Sequence, residues 1–275
     1  MSINPKKIIN FTPTGNQTNR GNSYAPLDTQ EIIDCVLEAY EIGITLVHLH
    51  ARDENLQNTW KSEYFQKIIE GIKKYTEDLV ICVSLSGRNF PELYQRTDVL
   101  QLKPDMASLT LSSLNFINGP SVNSPDIIVD LIKSMENYGV IPELECFDSG
   151  MLNMANYLIS KNILKPPYYF NFILGNLYNA QCDLSTIADI KSKIPQSSIV
   201  ALGGIGSQQL KSNMYGLLDF DGCRVGLEDN LYFQNKEKAT NLQLLKRLHN
   251  IMNSLNFEVM RSQEFRNLGY ENKLK

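Results

Sequence analysis

The sequence predicts a (β/α)8 TIM barrel, and three observations predict it. Short apolar runs rich in β-branched and aromatic residues recur eight times along 275 residues, and stretches of helical periodicity separate them. Neither a Gly-rich dinucleotide fingerprint nor a composition shift of the kind that marks a linker interrupts the alternation. This length suits one large domain or two small ones; since barrels of this size routinely run as a single unit, residues 1–275 are expected to form a single domain.

The strand-like runs lie at 6–12, 45–51, 79–86, 106–112, 141–148, 168–175, 197–204 and 222–229. The helical stretch at 27–43 can be capped by Asp28 or Thr29 at its start and closed by Gly43. Stretches 62–78, 124–139 with Pro125 in its first turn, and 238–255 read the same way. The segment 87–105 carries the weakest helical pattern.

A hydrophobic content of 43% supports a substantial core, and a net charge of -4 without a basic block gives a nucleic-acid partner no electrostatic support. No run is long and apolar enough to read as a signal peptide or a membrane span. Cys35, Cys82, Cys146, Cys182 and Cys223 are scattered and odd in number, which fits a reducing cytoplasm.

In such a barrel chemistry comes from the C-terminal ends of the strands. His48 and His50, in LVHLHARD at 46–53, are two apart on the second strand and therefore share a face. Arg224 and Glu228, four apart in the eighth run, share one too. Two imidazoles and a carboxylate with an open position form the ligand set of a catalytic zinc site or a related non-haem iron site. The third histidine, His249, falls in the last helical stretch and should lie outside the barrel. The competing reading makes His48 and His50 hydrogen-bonded core residues. Arg224 and Asp229 admit two accounts as well: an interior ion pair, or a general base oriented by a guanidinium.

GGIG at 203–206 follows the seventh strand, where barrels bind phosphate through backbone N–H groups, so Gly204 and Gly206 are candidate cofactor contacts; the same glycines also suit a tight turn. Ser84, Ser86 and Thr110 sit at strand ends, where hydroxyls commonly bond locally.

Taken together, TPTGN at 12–16, VHLHARD at 47–53, MASLTLSSLNF at 106–116, PELECFDSG at 142–150, FILGN at 172–176, GGIG at 203–206 and RVGLEDNLY at 224–232 resemble the β-keto acid cleavage enzymes over nearly the whole chain. The resemblance implies a (β/α)8 barrel with Zn2+ held by His48, His50 and Glu228. It implies condensation of a β-keto acid with acetyl-CoA and cleavage of the adduct to acetoacetate and a new acyl-CoA. By the same resemblance Asp229, supported by Arg224, is the base, while Ser84, Ser108 and Glu145 contact substrate or thioester. Members of the family tend to be homo-oligomers, so a tetramer or dimer is expected.

Two positions depart from the family pattern. VSLSGRN at 83–89 stands where many members read NLSTGG, which brings Arg88 to the mouth, and Asn16 stands where an acid would suit an amine-bearing substrate. Asn16 and Arg88 together favour a neutral polar or anionic substrate tail. The competing functions are a metal-dependent hydrolase and a non-catalytic metal- or ligand-binding barrel. Barrel hydrolases usually carry HxH on the first strand and further histidines on middle strands, which this sequence lacks.

Overall fold

Eight parallel strands close on themselves. In the computed structural model, which describes residues 5–16, 24–234 and 236–274, they are β1 (Lys6–Phe11), β2 (Leu46–Leu49), β3 (Val80–Val83), β4 (Met106–Thr110), β5 (Ile141–Cys146), β6 (Tyr168–Leu174), β7 (Ser198–Gly204) and β8 (Gly222–Val225). Each pairs with the next, and β8 returns to β1 in the register Ile8↔Gly222 to Phe11↔Val225. The predicted barrel is therefore the observed fold, and each of the eight runs contains its strand.

The helices follow the strands: α1 (Thr29–Ile42), α2 (Ser62–Lys73), α3 (Leu93–Thr97), α4 (Pro125–Tyr138), α5 (Ser149–Ser160), α6 (Leu184–Lys193), α7 (Gln208–Asp219), α8 (Asn241–Ser254) and α9 (Ser262–Asn267). Local chemistry sets their starts. Asp28 caps α1 in a capping box with Glu31, Ser124 caps α4 ahead of Pro125, and Thr240 caps α8. The weak pattern at 87–105 resolves into α3 and a 3-10 turn at Asp98–Leu102.

Alternate strand residues divide between two environments. Outward residues such as Ile9, Phe11, Val47 and Leu49 pack with the apolar faces of the helices in the main core. Inward residues form layers. At the N-terminal end Ile8, Leu46, Val80, Met106, Ile141 and Tyr169 make an apolar plug, closed by Phe265 and Tyr270, whose rings stack at 4.3 Å. Arg266 locks this closure through a buried two-point pair with Asp105, at 2.8 and 3.0 Å. Above the plug the interior turns polar, so the barrel floor is inert and its open end carries the chemistry.

Two strand ends differ from the sequence expectation. β2 stops at Leu49, and Ala51–Arg52 pairs instead with Asn58–Thr59 in a short antiparallel ribbon, so His50 sits just beyond the strand. β8 stops at Val225, and Glu228 lies on the turn that follows rather than on the strand. Gly226 makes that turn possible: it has φ +155, and a Cβ there would stand 2.0 Å from the Thr12 carbonyl oxygen. Arg224 and Glu228 do meet, through the fold-back of this turn and not through strand alternation.

All five cysteines are free. No helix among the described residues is long and apolar enough to cross a membrane.

Candidate active site

The open end of the barrel encloses a cavity of about 470 Å³ bordered by residues from most of the strand ends. His48, on β2, is buried, and its Nδ1 lies 2.7 Å from Oε2 of Glu143 on β5. Glu143 is anchored in turn: its Oε1 accepts from Asn10 Nδ2 at 2.6 Å and Asn171 Nδ2 at 2.9 Å, and its Oε2 accepts from Cys82 Sγ at 3.1 Å. The ring thus has one nitrogen engaged below and one left for a ligand.

His50 Nε2 is 3.3 Å from Glu228 Oε1. Gly15 lets Glu228 reach it, because a Cβ at that position would collide with the Glu228 side chain at 2.2 Å. One candidate ligand atom each from His48, His50 and Glu228 lie within 4.8 Å of one another. His48, Cys82 and Glu143 satisfy the same distance test, but Cys82 and Glu143 do not border the cavity. Two nitrogens and one oxygen facing a solvent-connected space fit a zinc ion with an open position.

Electrostatics separates the two imidazoles. Burial drives His50 down to about 4 against the pull of Glu228, which keeps it neutral and ready to ligate. Burial also opposes charge on His48, yet Glu143 and Glu228 outweigh it and push His48 up to about 9. His48 would have to give up that proton to ligate a cation.

Arg224 is 1% exposed and joins three acids. Its Nη2 is 2.8 Å from Glu228 Oε1, its Nε donates to Asp229 Oδ2 at 2.8 Å, and its Nη1 reaches Glu145 Oε1 at 3.4 Å. Burial raises the Asp229 carboxyl above its ordinary range, and the arginine only partly offsets this. Glu145 is raised as well, mainly by burial, and its Oε2 accepts from Thr110 Oγ1 at 2.9 Å. Glu228 is held well below its ordinary value: burial opposes ionisation, but Arg224 and both histidines prevail. Asp229 is thus the more basic of the two neighbouring carboxylates.

The other expected residues divide. Asn16, Ser84, Arg88 and Glu145 border the cavity, and Arg88 stacks its guanidinium carbon 3.6 Å from the centre of the Phe116 ring. Ser108 lies one level below Thr110 on β4, and its Oγ accepts the Leu85 N–H at 3.0 Å. Gly206 donates its N–H to the Asp229 carbonyl at 2.7 Å, and Gly204 packs against the backbone of Gln208. His249 is on α8 with Nε2 at 2.8 Å from the Gly43 carbonyl, outside the barrel as expected. The sequence places Asn171 and Glu143 among the polar residues at strand ends without assigning them a task, and it singles out neither Asn10 nor Arg96. For Glu143 a signal existed, since PELEC places two acids two apart in an apolar strand.

A (β/α)8 barrel whose strand ends converge ionisable side chains on one cavity has the build of a barrel enzyme. The beta-keto acid cleavage enzyme family model matches residues 6–269, and the chain belongs to that family. It is similar to 3-oxoadipate:acetyl-CoA acetyltransferase of Cupriavidus necator, 31% identical over 237 residues, 84% of this chain and 83% of the relative. It is also similar to 3-keto-5-aminohexanoate cleavage enzyme of Acetoanaerobium sticklandii, 30% identical over 218 residues, 79% of this chain and 80% of the relative. Among solved structures, apo ObcA superposes with a TM-score of 0.77 at 18% identity, over 90% of this chain and 66% of that one, which supports the fold. The chain is an acyltransferase of the Claisen type.

Proposed function

We propose that this protein condenses a β-keto acid with acetyl-CoA and cleaves the adduct to acetoacetate and a new acyl-CoA, with zinc held by His48, His50 and Glu228. One observation carries the reading: Arg224 bridges the ligand Glu228 and the raised carboxylate Asp229, each at 2.8 Å, and so ties a cation site to a base. Bound there, zinc supplies a Lewis acid for the keto oxygen and carboxylate of the substrate.

The residues of the chain do the rest. Asp229 takes a proton from the carbon between keto group and carboxylate, and Arg224 orients it and balances the charge. That carbon attacks the thioester carbonyl, forming a C–C bond and releasing the CoA thiolate. The thiolate then adds to the original keto carbonyl, the adjacent C–C bond breaks, and the acetoacetate carbanion recovers a proton from Asp229. Glu145, with Thr110, and Ser84 border the space the thioester would occupy. Ser108 supports this wall through Leu85. Gly204 and Gly206 begin the turn where CoA phosphate would approach; since the Gly206 N–H is already engaged, that contact falls to neighbouring groups. Asn16 and Arg88 favour a neutral polar or anionic tail.

We place the enzyme in the cytoplasm, as one catalytic domain in a homodimer or homotetramer; a monomer by light scattering would refute the assembly. The deciding experiment is acetoacetate formation from acetyl-CoA and β-keto acids with neutral, anionic and cationic tails, with and without zinc. Zinc-dependent turnover is expected. No turnover despite stoichiometric metal would overturn the reading in favour of a non-catalytic binding barrel or a metal-dependent hydrolase.

A further inference from the structure

Beside the main cavity, and sharing Asn16, His50, Ser84 and Ser86 with it, lies a side chamber of about 30 Å³. A water needs about 10–15 Å³ on this scale, so the chamber takes a group of only a few heavy atoms. Arg96, 3% exposed, lines it. Its Nε donates to the Leu85 carbonyl at 2.7 Å and its Nη2 to Asn123 Oδ1 at 2.8 Å, while Nη1 is buried with no hydrogen-bond partner among the described residues.

Neither partner carries a charge. No carboxylate lies within ion-pair distance of Arg96 among the described residues, none of the undescribed positions is Asp or Glu, and no acid lines the chamber. Arg224 and Arg266, also buried, each hold carboxylates directly. Arg88, facing the main cavity, has Glu228, Glu145 and Asp229 in its field, whereas Arg96 feels Glu145 alone, and that from beyond ion-pair distance. A desolvated guanidinium with no acid in direct contact is costly and binds an anion strongly when one is delivered.

We propose that this chamber receives the tail of the β-keto acid and that Arg96 pairs with a carboxylate at its end, so the preferred substrates are β-keto acids with a second carboxylate on a short tail. This rests on the proposed acyl transfer and moves tail recognition from Arg88 to the more deeply buried Arg96. An ammonium tail would meet the Arg96 charge with no acid to receive it. A purely structural Arg96, clipping Leu85 to Asn123, would affect every tail alike.

The test compares 3-oxoadipate, its terminal amide and the terminal amine of equal length by kcat/KM with acetyl-CoA. We expect the dicarboxylate to exceed the amide by about 100-fold, mainly through KM, the size of effect found when a buried charge pair is broken. Arg96→Met should collapse that ratio towards one, Arg96→Lys should restore part of it, and Asn58→Asp, which adds an acid to the chamber, should invert it towards the amine. A wild-type ratio near one, or a ratio unchanged in Arg96→Met, would overturn the inference. Should Arg96→Met fail to fold, the wild-type ratio and Asn58→Asp decide it. Should no tail be turned over, the proposed reaction fails, and calorimetric binding of glutarate against its monoamide tests the chamber separately: tighter glutarate binding that Arg96→Lys weakens supports it, and equal binding refutes it.

Discussion

Glu143 Oε2 stands 2.7 Å from His48 Nδ1, with Asn10 and Asn171 fixing the other oxygen of the same carboxylate. The two residues are 95 apart in sequence and meet across the barrel interior. A carboxylate on the far side of a ligand histidine fixes the ring's orientation and tautomer and strengthens it as a donor. Glu143→Gln keeps the shape and removes the charge, so zinc affinity should fall about 10–100-fold, read by chelator competition. An unchanged affinity would show that His48 does not depend on this partner.

Asp229 is the base in the proposed reaction, and its carboxyl is raised by burial while Arg224 holds it in place. Asp229→Asn should lower kcat by about 10²–10⁴-fold, the usual contribution of a positioned base. Deuterium exchange at the carbon between keto group and carboxylate, followed by NMR, should stop, and bound zinc should stay stoichiometric. Persistent exchange in the variant would assign proton removal to another group.

Zinc that binds only the folded protein must also stabilise it. At a free concentration 100 times Kd the gain is about 2.7 kcal/mol, so stripping with a chelator should lower Tm and restoring zinc should recover both Tm and turnover. Glu228→Gln should make Tm insensitive to zinc. A wild-type Tm that ignores zinc would remove the metal from the proposal.

His249, between α8 and the end of α1, provides a pH test away from the site. Burial lowers its pKa below the ordinary 6.5, while the bond from Nε2 to the Gly43 carbonyl partly opposes this. The folded protein therefore binds this proton less readily than the unfolded chain. Stability should fall as pH drops below about 6.5, until the folded-state value is passed. His249→Gln, whose amide can still donate to Gly43, should reduce that loss in denaturant midpoints compared between pH 7.5 and pH 5.5. An equal loss in both proteins would place the titration elsewhere.

The sequence by itself determined the barrel, because strand and helix periodicity are local properties and the eight alternations leave few other closed arrangements. It also brought His48, His50, Arg224, Glu228 and Asp229 to the mouth, since all fall at the ends of apolar runs and all border the cavity. It misplaced Glu228 and Asp229 onto a strand because RVGLED has no local mark of the turn; the close approach of Gly226 to Thr12 ends β8, and Thr12 lies more than 200 positions away. Which acid backs which histidine, the three-way bridging by Arg224, and the lack of an ion-paired acid at Arg96 among the described residues were decided only by tertiary structure. Each depends on the stagger between strands when the barrel closes and on what burial removes from water, and neither quantity is encoded within a short window of residues.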